Sequence, residues 1–122
     1  MSTFKKTGLL LLLIFSIFKT EAQTKKAAES IKTVTFTVSG NCEECKARIE
    51  NAADIKGVKL CVWDIKTHVA TVTYNESKTN PDKIKKAIAD AGHDVTDFRA
   101  NDEAYKKLPS CCKYRDGECK NH

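Results

Sequence analysis

Between Thr33 and Arg99 the apolar spacing runs strand, helix, strand, strand, helix, strand, and that order restricts the chain to few folds. Val34, Phe36 and Val38 alternate with threonines, the pattern of a half-buried strand. From Glu43 to Asp54, Cys45, Ile49, Ala52 and Ala53 recur on one helical face, and Gly57 then breaks the chain. Val58 to Ile65 is a second strand, with Cys61 and Trp63 on one face and Leu60 and Val62 on the other. Lys66-Thr67 turns the chain into a third strand, His68 to Tyr74, close enough for an antiparallel hairpin. Asn80-Pro81-Asp82 starts a helix with an Asn cap, a proline at the first position and an acid in the first turn. Ile84, Ala87, Ile88 and Ala91 form its buried stripe, and Gly92 ends it. Asp94 to Arg99 is a short fourth strand with Val95 and Phe98 inward. The order predicts an α+β, ferredoxin-like βαββαβ sandwich. Two helices cover one face of a four-stranded antiparallel sheet, and the other face is left to solvent or to a Cys-rich C-terminal tail.

The ends of the chain read differently. Lys5 and Lys6 precede an apolar run, Gly8 to Phe18, and Thr20-Glu21-Ala22 offers small residues at a cleavage site. This is the pattern of a secretory signal peptide over residues 1–22, and its apolar run is about half of what a membrane span needs. No cysteine follows that run directly, which argues against a lipoprotein anchor. The expectation is a periplasmic or secreted protein with no stable membrane insertion after cleavage. Residues 23–30 form a polar leader, 31–100 the domain and 101–122 the tail. Losing Lys5, Lys6 and Lys19 with Glu21 lowers a formal charge of +5 by two. What remains is about 100 residues, enough for one small core. It lacks the clustered basic stripe of a nucleic-acid binder.

Cys42 and Cys45 stand where the first strand pattern gives way to the first helix. Thiols two residues apart at a helix N-terminus can close on a soft ion or, when oxidised, on each other. The helix start favours the thiolate through its unpaired N–H groups and dipole. Two sulfurs under-fill a tetrahedral zinc site but satisfy a monovalent d¹⁰ ion. A thiol–disulfide oxidoreductase shares the strand–CxxC–helix order, yet Pro81 starts a helix and Pro109 lies in the tail, so neither proline precedes a strand facing the pair. A third reading is an interaction domain whose cysteines only form bridges. Lys46 after Cys45 excludes a c-type haem motif. No catalytic base, nucleophile pair or phosphate loop is visible, so no enzyme is expected.

Val38-Ser39-Gly40-Asn41-Cys42-Glu43-Glu44-Cys45, Gly57-Val58, Val72-Thr73-Tyr74-Asn75 and the run from Ile84 to Val95 resemble the heavy-metal-associated domain. That family includes copper chaperones, amino-terminal modules of copper-exporting ATPases and periplasmic mercury-binding proteins. The resemblance covers Thr33 to Arg99 and implies that Cys42 and Cys45 are metal ligands. It implies Cu(I) first, with Hg(II) or Zn(II) as alternatives, in a metallochaperone or scavenger. It also implies a metal-transport or metal-receiving partner protein, and a monomer or metal-bridged dimer. Two departures stand out. The family usually has methionine where Gly40 stands, which predicts a looser loop, and small or uncharged residues where Glu43 and Glu44 stand. The loop carrying His93 lies beside the metal loop in that family, so His93 is a candidate third ligand or tuner, with an ordinary loop histidine as the alternative.

The remaining cysteines have no counterpart in that pattern. Cys61 shares a strand face with Trp63 and reads as core; His68 reads as an exposed strand or turn residue. Cys111, Cys112 and Cys119 fall in a loop-rich tail of the kind that usually needs a covalent or metal staple. A disulfide from Cys119 to Cys111 or Cys112 is one expectation. A tail thiolate lent to the main site is another, and a separate zinc site with His122 a third.

Overall fold

A computed structural model describes residues 30–116. The expected signal peptide, most of the expected leader, Cys119 and His122 lie outside those residues. Among the described residues no helix is long and apolar enough to cross a membrane.

β1 (Ile31–Thr37), β2 (Val58–Trp63) and β3 (Val69–Asn75) form an antiparallel sheet in the order β1-β3-β2. β3 is central because the hairpin puts it beside β2 while its other edge takes β1, from Ile31 opposite Asn75 to Thr37 opposite Val69. Phe36, Trp63, Ala70, Val72 and Tyr74 point into the core. Leu60 and Val62 stay exposed, as their alternation predicts, and the second sheet face carries threonines and meets solvent. α1 (Glu43–Ala53) and α2 (Pro81–Asp90) cover the first face with Cys45, Ile49, Ala53, Ile84 and Ile88. Asn80 caps α2 by accepting from the Lys83 amide at 2.9 Å.

The expected fourth strand is not formed as a ladder. Val95 makes an isolated bridge with Val38, backed by Ser39 N–H donating to the Asp94 carbonyl and Thr96 N–H to the Thr37 carbonyl. The segment therefore lies along the outer edge of β1, where the fourth strand belongs. Asp97, at φ 69°, then turns the chain so that Val95 bridges Phe98. A residue in the left-handed region two positions past the start leaves no length for a strand.

The tail adds α3 (Asp102–Lys106) and two 3₁₀ turns, Ser110–Cys112 and Tyr114–Asp116. A polar clamp holds it against the domain. Arg115 donates from Nε to Asp94 Oδ2 at 3.2 Å and from Nη2 to Asp94 Oδ1 at 2.8 Å, the bidentate geometry that makes such pairs strong. It also donates to the Ala100 carbonyl and to Asp102. Burial works against charge on Asp94, but the Arg115 guanidinium and the Ala100 amide hold its carboxyl below the usual range. The Tyr114 hydroxyl donates to the Gly92 carbonyl at 2.7 Å and accepts from the Asp94 amide at 2.8 Å.

Gly92 serves both α2 and the tail. Its φ of 107° lets the chain leave the helix, and a Cβ there would lie 2.8 Å from the Ala104 carbonyl oxygen. Gly92→Ala is expected to cost at least about 1 kcal/mol, because strain and contact act together. Urea unfolding measures this, and an unchanged midpoint would contradict it.

Candidate metal centre

The loop between β1 and α1 places the two sequence-predicted thiols. Cys42 is the N-cap of α1 and Cys45 lies in its first turn. Cys42 makes no cap hydrogen bond of regular geometry, although the Cys45 amide still faces its sulfur. The Cys42 and Cys45 sulfurs are 3.4 Å apart, well beyond the roughly 2.05 Å of a disulfide. The Asn41 amide donates to Cys45 Sγ at 3.4 Å.

The tail brings a third sulfur. Cys112 Sγ is 3.8 Å from Cys42 Sγ, and the ligand atoms of Cys42, Cys45 and Cys112 all lie within 4.8 Å of one another. Cys45 and Cys112 are fully buried while Cys42 is half-buried. Cys111 is adjacent: its carbonyl accepts from the Cys42 thiol at 3.5 Å, its sulfur is 4.0 Å from that of Cys112, and its thiol donates to Glu44 Oε2 at 3.2 Å. Glu44 is therefore engaged by the tail rather than only solvated. Cys61 sits on β2, half-buried against the core, with burial pushing its thiol up to about 11.

The thiols differ in readiness to ionise. Burial opposes charge on Cys42, yet donation from the Cys45 amide and from the thiols of Cys45, Cys111 and Cys112 holds it below the ordinary thiol value. Burial pushes Cys45 up, against donation from the Asn41 amide. Burial and the sulfurs of Cys45 and Cys42 push Cys112 far up. The Glu44 carboxylate and burial push Cys111 up to about 11. Cys42 is thus the thiol of the cluster most ready to become a thiolate.

His93 is fully buried and is not among the clustered ligand atoms. Its Nδ1–H donates to the Ser39 carbonyl at 2.8 Å, while Nε2 has no hydrogen-bond partner among the described residues. Its ring lies 5.7 Å from that of Tyr114. Burial and the nearby Arg48 charge hold its pKa below the usual value. The histidine joins the metal loop to the tail through packing. His68, at φ 62° in the hairpin turn, stacks on Trp63 with ring centroids 5.7 Å apart.

Gly40 and Trp63 explain how the loop is held. A Cβ on Gly40 would lie 3.0 Å from both Cys45 Cβ and Trp63 Cη2. The indole fills the volume beside this glycine, and its Nε1–H donates to the Val38 carbonyl at 3.0 Å. The sequence marks Trp63 as core but not as the loop's support, because the contact spans 25 residues.

Comparison with known proteins agrees with this arrangement. The heavy-metal-associated domain model matches residues 35–94. The periplasmic component of a mercuric transport protein from Pseudomonas aeruginosa is 36% identical over 64 residues, covering 51% of this chain and 70% of that protein. The copper chaperone CopZ of Staphylococcus haemolyticus is 32% identical over 56 residues, covering 45% and 82%. The crystal structure of oxidized MerP from Ralstonia metallidurans CH34 superposes with a TM-score of 0.51 at 34% identity, covering 54% of this chain and 94% of that one. Cys111 and Cys112 lie beyond the matched residues.

Gly40→Met is expected to cost about 1–3 kcal/mol by overpacking against the indole. Combined with Trp63→Leu in a double-mutant cycle, the two changes should couple favourably by about 1 kcal/mol or more. Chemical denaturation of the four variants measures this; strictly additive costs would show that the two residues do not share one volume.

Proposed function

The chain belongs to the heavy-metal-associated domain family, and we propose that it is an exported Cu(I)-binding protein that carries or scavenges the ion at Cys42 and Cys45. Members of this family are metal-binding modules, not enzymes, and soft-metal binding is the function of the domain. One observation carries the assignment: two thiols converge at a helix N-terminus, one with a depressed pKa, beside a third buried sulfur. An all-sulfur cluster selects thiophilic ions over hard cations. Ion uptake must displace thiol protons, so binding couples to proton release.

The name of the copper chaperone relative supports Cu(I) as cargo. Hg(II) is the second reading, favoured by the mercuric transport relatives, whose periplasmic placement also matches the signal-peptide pattern of residues 1–22. Export makes reduction a condition of binding, because a Cys42–Cys45 disulfide would remove both ligands. The acceptor or donor is a metal-transport or metal-receiving protein. Glu43 and Glu44 give the rim of the loop an acidic edge that suits a basic partner surface.

Reduced protein titrated with Cu(I) under a competing chelator is expected to bind one equivalent, and Cys42→Ser to abolish that site. Unchanged stoichiometry and affinity in Cys42→Ser would contradict the assignment. Under the same conditions Hg(II) displacing Cu(I) completely would move the cargo to the second reading.

A further inference from the structure

The family match ends at Asp94, yet the buried sulfur nearest Cys42 after Cys45 comes from residue 112. We propose that Cys112 is a third metal ligand, so that the tail converts a two-cysteine exchange site into a three-thiolate pocket that retains its ion. The proposal rests on the reading of Cys42 and Cys45 as ligands.

Three observations carry it. The first is spacing. Sulfurs bound at about 2.3 Å to one ion stand about 4.6 Å apart in a linear pair and about 4 Å apart in a trigonal set. Cys42 lies 3.4 Å from Cys45 and 3.8 Å from Cys112, with all three within 4.8 Å, which is nearer the trigonal set.

The second is preorganisation. Cys112 closes a 3₁₀ turn through its amide to the Pro109 carbonyl at 2.8 Å, and Leu108 is buried just before it. Tyr114 and Arg115 follow immediately and fasten the segment to Gly92, Asp94, Ala100 and Asp102. A loop held from both sides loses little further freedom when its sulfur coordinates.

The third is cover. The carbonyl of Cys111 sits on Cys42 Sγ, and Cys45 and Cys112 are closed to solvent. An attacking thiol from a competitor or partner then has Cys42 as its approach. The tail must lift before a second sulfur can be replaced. As three ion–sulfur bonds form, three S–H protons leave to solvent; no electron transfer is involved. Three sulfurs without a fourth suit a soft d¹⁰ ion better than tetrahedral zinc.

X-ray absorption on the protein produced from the full 122-residue sequence, reduced and loaded with one equivalent of Cu(I), tests this. Three sulfur neighbours are expected in the wild type and in Cys111→Ser, and two in Cys112→Ser. Cys112→Ser should also release Cu(I) to dithiothreitol with an affinity loss of at least about tenfold, the lower end of what removing a supporting group costs a metal site. Arg115→Ala keeps every thiol and frees the tail; it should lower the mean sulfur number and speed release, which separates ligation from misfolding. Two sulfurs in wild type and Cys112→Ser alike, with equal affinity, would overturn the third ligand while leaving the Cys42–Cys45 site intact. A drop to two in Cys111→Ser but not in Cys112→Ser would overturn the choice of residue. Absence of stoichiometric binding in the wild type would instead overturn the two-cysteine site itself.

Discussion

Trp63 is the residue on which the site's geometry depends. It is the last residue of β2 and fully buried. Its amide donates to Glu50 of α1 at 3.0 Å, its carbonyl accepts from Lys46 of α1 at 2.8 Å, and its indole donates to Val38 just after β1. Three elements are thereby joined at one residue, two bonds through its main chain and one through its indole. Burying an indole contributes on the order of 4–5 kcal/mol from area alone, a large part of a small domain's margin. The flat ring also sets how closely the Cys loop approaches the sheet, so a side chain at position 40 would crowd the indole and Cys45. Where the resembling family usually has methionine this chain has Gly40, with the indole of Trp63 packed beside it.

On that support the site is built in two layers. The first is local: strand end, loop and helix start place Cys42 and Cys45 within one turn, and the helix start and neighbouring donors depress the Cys42 pKa. The second is long-range. The Asp94–Arg115 pair and the Tyr114 hydroxyl bring the tail across the loop carrying His93, and Cys112 arrives over the first two sulfurs. Noncovalent contacts among the described residues hold this segment against the domain. His93 lies between the layers. Its Nδ1–H is engaged by Ser39 and its ring packs on Tyr114, which braces the loop from behind.

Most of the first layer is legible in the sequence because it rests on local periodicity and caps. The alternation of β1, the Asn80-Pro81 start of α2 and the glycine after it all appear where the pattern places them. The fourth strand does not follow from alternation, since Val95 and Phe98 are three residues apart and would face opposite sides of a strand, whereas Asp97 takes a left-handed turn that makes them partners. The second layer was only partly legible. Candidate ligands in the tail are visible as residue types, but the contact between Cys42 and Cys112 spans 70 residues and depends on a clamp spanning 21. No periodicity encodes such pairings, and three tail cysteines look equivalent until Arg115 and Tyr114 are seen to aim one of them.

With Cys112 as the proposed third ligand, one soft ion engages both layers at once. The most direct measurement is an amide NMR titration of the reduced protein with Cu(I) up to one equivalent. Amides of 40–46 and of 110–115 are expected to shift together, in one saturating step, while the exposed sheet face around Leu60 and Val62 stays unchanged. Shifts confined to 40–46, or absent from both segments, would contradict it.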